Sequence, residues 1–105
     1  MLCGVVYTIY HIENQQFMQI TILKEDILTA DYYNSYDCPI TRAFERAGLP
    51  YRDEGIIVRN VETGKSAPRT ESYKKASFRM KEMMPGLYIY NGTPAEDITF
   101  EFTPF

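Results

Sequence analysis

The chain has 105 residues, 45% of them hydrophobic and 24% charged, which suits one soluble domain with one modest core and excludes a disordered chain. Fourteen acidic residues against eleven basic ones leave a net charge of −3, which argues against a generic DNA-coating protein and is too mild for an acidic DNA mimic. The longest apolar stretch, residues 2–10, is shorter than the roughly 20 residues that cross a bilayer and lacks the basic flank of a signal peptide, so a cytoplasmic protein with no membrane attachment and two reduced cysteines, Cys3 and Cys38, is expected.

Residues 5–12 are rich in β-branched and aromatic side chains, among them Tyr7, Ile9, Tyr10 and Ile12, and read as a strand. A polar turn, Glu13-Asn14-Gln15-Gln16, joins it to residues 17–23, where Met18, Ile20 and Ile22 alternate with Gln19 and Thr21. The pair predicts a β-hairpin. Residues 24–37 show no sustained period and hold Asp31, Asn34, Ser35 and Asp37, so they read as a long loop. Within it stand three tyrosines, Tyr32, Tyr33 and Tyr36.

The clearest helix follows. Asp37 is placed to cap it, Pro39 suits its first turn, and Gly48 and Pro50 end it. Ile40, Ala43, Phe44 and Ala47 share one face, and Thr41, Arg42, Glu45 and Arg46 the other. Residues 55–61 read as a strand and Glu62-Thr63-Gly64-Lys65 as a turn. Ala76, Met80, Met83 and Met84 predict a helix over 71–84, with a short strand over 76–80 as the alternative. Residues 87–90 read as a strand, Asn91-Gly92-Thr93-Pro94 as a turn, and Ile98, Phe100 and Phe102 as the buried face of a last strand. The order β-β-α-β-(α)-β-β over a single domain, 1–105, predicts an α+β fold: a small, mostly antiparallel sheet of about five strands with one or two helices on one face.

The stretch Asp37-Cys38-Pro39-Ile40-Thr41-Arg42-Ala43-Phe44-Glu45-Arg46-Ala47-Gly48 resembles small uncharacterised proteins of bacteriophages and other mobile elements. Many of these open a helix with Cys-Pro, an aliphatic residue and an alanine soon after. The resemblance spans about residues 18–61, with an echo in the Phe-rich segment 98–105. It implies a setting, a phage accessory protein acting inside an infected cell, and carries no activity and no site residue with it.

Cys38, at a helix start, is the one candidate nucleophile, because a helix N-terminus lowers a thiol's pKa. The favoured reading is a small buried packing residue, since the single histidine, His11, lies on a distant strand and supplies no evident base. Asp31, Asp37, Asp53 and Glu54 match no Ca²⁺ loop, and one histidine with two distant cysteines makes no zinc set, so neither metal nor cofactor is expected. Six bases and two acids between residues 65 and 82 make a candidate anion-binding face, with Lys74, Lys75 and Arg79 its centre, set against an ordinary solvated helix face.

Nine tyrosines without a tryptophan are the most informative excess, because tyrosine offers contact area at low entropic cost. Tyr32, Tyr33 and Tyr36, with Arg42 and Arg46 one helical turn apart beyond them, form the candidate binding surface. The expectation is a non-catalytic binding protein that blocks a host protein or sequesters a small anionic ligand. A nucleic-acid-binding module built on residues 65–82 is the alternative. A homodimer is expected from the sheet edges and spare aromatic surface.

Overall fold

Alternation in the second strand and in the last one means that each has one apolar face, and pairing the two makes a continuous apolar surface. In the computed structural model, which describes residues 9–12 and 15–105, this pairing is the centre of the first sheet. Strand β1 (Ile9–Ile12) pairs antiparallel with β2 (Gln15–Ile22), and β2 with β6 (Ile98–Phe102), in the order β1-β2-β6. Ile20 lies opposite Phe100 and Met18 opposite Phe102, so the two apolar faces coincide and all four side chains are buried. Cys3, residues 5–8 of the first expected strand and Glu13-Asn14 of its turn lie outside the described residues.

The second sheet has the order β3-β4-β5, from β3 (Tyr51–Asp53), β4 (Ile57–Asn60) and β5 (Ser66–Pro68). Among the described residues the expected single sheet is therefore two antiparallel sheets of three strands each. Strands β3 and β5 escape sequence reading because each has three residues, too few to show a period. Residues 87–90 are apolar but form no strand. The Leu87 and Tyr90 amides close turns on the Met84 and Leu87 carbonyls instead.

Three helices stand among the described residues. Helix α1 (Lys24–Thr29) falls within the segment read as loop. At six residues it needs outside support. Asp97 gives it a cap by accepting from the Lys24 amide at 2.8 Å. Asp26 is 2% exposed and binds two arginines of the next helix, with Oδ2 to Arg46 Nε at 2.8 Å and Oδ1 to Arg42 Nη1 at 3.1 Å.

Helix α2 (Pro39–Arg46) forms where the caps predicted, with Cys38 rather than Asp37 as N-cap. The Cys38 sulfur accepts from the Thr41 amide, while the Asp37 carboxylate is taken by Arg42. At the other end Gly48 has φ +73, and the Gly48 and Leu49 amides close on the Glu45 and Phe44 carbonyls. That pair of bonds needs a left-handed residue, which glycine adopts without strain.

Helix α3 (Glu71–Glu82) bears out the helical reading of 71–84, with Thr70 as its N-cap. It buries Tyr73, Ala76, Ser77 and Met80 and leaves Phe78 exposed. Ser72 Oγ accepts from the Glu101 amide of β6 at 3.0 Å, and the Thr70 hydroxyl donates to the Glu101 carbonyl at 3.3 Å. Phe44 lies at the centre of the core, 4.8 Å from the Phe102 ring and 5.5 Å from Tyr51. No helix among the described residues is long and apolar enough to cross a membrane.

Candidate functional site

Tyr32, Tyr33 and Tyr36 sit on a loop that its own polar residues hold in shape. Asp31 Oδ1 accepts from the Tyr33 amide and Asn34 Oδ1 from the Tyr36 amide, each at 3.0 Å, so two side-chain turns follow one another. The Thr41 hydroxyl then donates to the Ser35 carbonyl at 2.8 Å. The same oxygen accepts from the Asp53 amide at 3.1 Å, which ties loop, α2 and β3 together. Thr41 is therefore buried, contrary to its expected place on the solvent face of the helix.

Between this loop and the β3–β4 turn lies a cleft of about 320 Å³. Tyr32, Tyr33, Ile40 and Met80 supply apolar lining, and Asp53, Glu54 and Arg69 the charged part. The two tyrosine rings meet edge to face, 5.4 Å apart at 84°. Tyr33 and Tyr36 are 76% and 70% exposed, so the loop tyrosines do not fold back as a group onto the core.

A buried ion pair forms the charged part of the lining. Asp53 and Arg69, with side chains 5% and 8% exposed, are joined at 2.5 Å. Asp53 Oδ1 also accepts from the Gly55 amide, across a turn where Gly55 has φ +98. A side chain there meets no neighbour, so the demand for glycine is one of backbone conformation. Arg69 Nη1 donates to Ser77 Oγ at 3.0 Å, and its guanidinium lies 5.0 Å from the Tyr73 ring centre. Two buried polar atoms here have no partner among the described residues, Arg69 Nε and the Tyr73 hydroxyl. Burial, reinforced by the charge of Asp53, pushes the Tyr73 phenol far above its ordinary pKa, so it stays protonated.

Around the cleft the carboxylates are already paired. Arg52 and Arg59 both bind Glu54 and hold its carboxyl below the usual range, Arg52 most strongly. Arg52 also stacks over Tyr36 at 4.4 Å, and Lys81 stands 5.3 Å from the Tyr32 ring centre. The lining itself holds one guanidinium, Arg69, and two carboxylates, Asp53 and Glu54, with Arg52 and Arg59 on Glu54 and Lys81 beside Tyr32, while Asp31 is turned back onto its own loop. Cys38 lines the same cleft. Burial pushes its thiol pKa up, outweighing the hydrogen bonds from Thr41, so the helix start does not activate it.

The expected partnership of the tyrosines with Arg42 and Arg46 does not form in the cleft. Those arginines lie against α1, on Asp26, Asp37 and Glu25, and the guanidinium that meets Tyr36 comes from Arg52. The basic segment is likewise divided: Lys74 pairs with Glu71, Arg79 with Glu96, and Arg69 is buried with Asp53. Lys75 lines a shallow hollow between α3 and β6. Of the acids considered for a cation, Asp37, Asp53 and Glu54 are each bound to arginine, and no three metal-ligating side chains cluster among the described residues.

Asp53, Glu54 and Arg69 were not among the binding residues read from sequence. Asp53-Glu54-Gly55 carries the spacing of a side-chain turn, a local signal. Arg69 is sixteen residues from Asp53 and no periodicity connects them. No protein-family model matches the chain, and no curated protein or solved structure is significantly similar to it.

Proposed function

We propose that this protein is a non-catalytic binding protein that captures a small anionic molecule in the cleft between the tyrosine loop and the β3–β4 turn. The observation that carries the reading is Arg69, a buried guanidinium in the cleft lining with an unpaired Nε–H. Buried donors are rarely left without an acceptor, and sites of this kind cluster at places of function. Asp53 and Glu54 are each paired with arginine, and Lys81 stands beside Tyr32, so positive charge flanks the lining and supports an acceptor that carries negative charge. The raised pKa of Cys38 makes it a poor nucleophile, which supports capture over catalysis. The likeness of the 37–48 helix to phage-encoded proteins supports a role in removing a host signal rather than in housekeeping.

Calorimetric titration at low salt with methyl phosphate, phenyl phosphate and 5′-AMP tests the proposal. At least one should bind with one-to-one stoichiometry, and affinity should fall as salt is raised, because screening weakens ionic contacts at a part-open site. No binding by any of the three would remove the reading.

A further inference from the structure

We infer that the ligand of this cleft is a planar ring carrying an oxyanion, with the ring against Tyr32 and Tyr33 and an oxygen taken by Arg69. The inference rests on the reading of the cleft as an anion site and specifies the chemistry it selects. Its basis is the combination of an aromatic wall and a fixed donor in one small space. At about 320 Å³ the cleft is at the lower end of ligand pockets, a size for one ring system rather than an extended chain. Tyr32 and Tyr33 stand nearly at right angles, so together they offer both an edge and a face. Ile40 and Met80 continue the apolar lining.

The opposite requirement comes from Arg69. Asp53 and Ser77 hold its terminal nitrogens at 2.5 and 3.0 Å, so the guanidinium is set in place before any ligand arrives. Its Nε–H is the donor left over. Asp53 Oδ1 serves Arg69 and the Gly55 amide, and Glu54 is shared by Arg52 and Arg59, so both carboxylates of the lining already have cationic partners. Lys81 makes no ion pair among the described residues and stands over Tyr32, which adds positive charge on the ring side. A bare anion would leave the tyrosine wall unused, and a neutral ring would leave Arg69 Nε unpaired. A ring bearing a phosphate or carboxylate answers both.

The test compares phenyl phosphate, methyl phosphate and phenol on the wild type and on Tyr33→Ala, a change at an exposed position that leaves the core intact. Phenyl phosphate should bind about tenfold more tightly than methyl phosphate, as for stacking of a ring on an aromatic side chain. Tyr33→Ala should shrink that ratio to about threefold or less. Phenol should not bind detectably. In ¹⁵N-labelled wild type, the Arg69 Nε–H resonance should move on adding either phosphate and stay in place with phenol. Equal affinity for the two phosphates, an unchanged ratio in Tyr33→Ala, binding of phenol as tight as that of phenyl phosphate, or an unmoved Arg69 resonance would each overturn the inference. Failure of both phosphates and 5′-AMP to bind would instead overturn the anion site itself.

Discussion

Asp26→Asn is the sharpest test of how this small fold is held. The wild-type carboxylate accepts three hydrogen bonds from two guanidiniums: Arg46 Nε at 2.8 Å, Arg46 Nη2 at 3.1 Å and Arg42 Nη1 at 3.1 Å. Asparagine keeps the shape but loses the charge and turns an N–H₂ toward one of the arginines. Removing one partner of a fully buried pair costs about 3–5 kcal/mol. Here Arg42 and Arg46 are 27% and 49% exposed and keep Asp37 and Glu25, so water and those acids recover part of the loss. The expected cost is about 2–3 kcal/mol, a large share of the roughly 5–15 kcal/mol that stabilises a typical domain. Urea unfolding at pH 7 measures it as a lower midpoint at unchanged slope.

The pH dependence of this gap has a definite sign. Arg46 and then Arg42 hold the Asp26 carboxyl below its usual range, against the opposing effect of burial. A carboxyl with a depressed folded pKa stabilises fully above its unfolded pKa, about 3.9, and loses that contribution as pH falls through the folded value. Asparagine does not titrate, so the wild-type and mutant stabilities should converge as pH drops below about 4. A loss under about 0.5 kcal/mol at pH 7, the size of an ordinary surface change, would refute the argument. A gap that stays constant into acid would refute it as well.

Further outcomes follow from the loop and the cleft. Thr41→Val removes the hydroxyl shared by Ser35 and Asp53 and should cost about 1–3 kcal/mol in urea unfolding, as for a buried amide left unpaired. Tyr33→Ala with Tyr36→Ala should change stability by less than about 1 kcal/mol, because both rings are largely exposed, while weakening anion binding; a marked early melt would place them in the core. Cys38→Ala should leave ligand binding intact and cost about 1 kcal/mol, and the wild-type thiol should react with iodoacetamide only on unfolding. Gly55→Ala should cost about 1–2 kcal/mol from backbone strain alone, read as a lower urea midpoint, since no neighbour obstructs the added methyl.

Short-range periodicity and chain stereochemistry govern the part of the fold that is legible in the sequence. Met18, Ile20 and Ile22 alternate, as do Ile98, Phe100 and Phe102, and the structure buries both rows. Pro39 and Gly48 mark the ends of α2 because one lacks an amide proton the helix does not need and the other accepts positive φ. The α+β class follows from these elements. The rest depends on contacts between residues far apart in the chain. Helix α1 is too short to declare itself and exists where Arg42, Arg46 and Asp97 meet its exposed backbone and its buried carboxylate. The tyrosines are visible as an excess, but their cationic neighbours are Arg52 of β3 and Lys81 of α3 rather than Arg42 or Arg46 from the adjoining helix. A long side chain pairs with whatever charge the fold brings within reach, and sequence distance does not constrain that choice. Asp53 and Arg69 meet for the same reason, across the second sheet and the start of α3, and their meeting supplies the charged pair of the cleft lining.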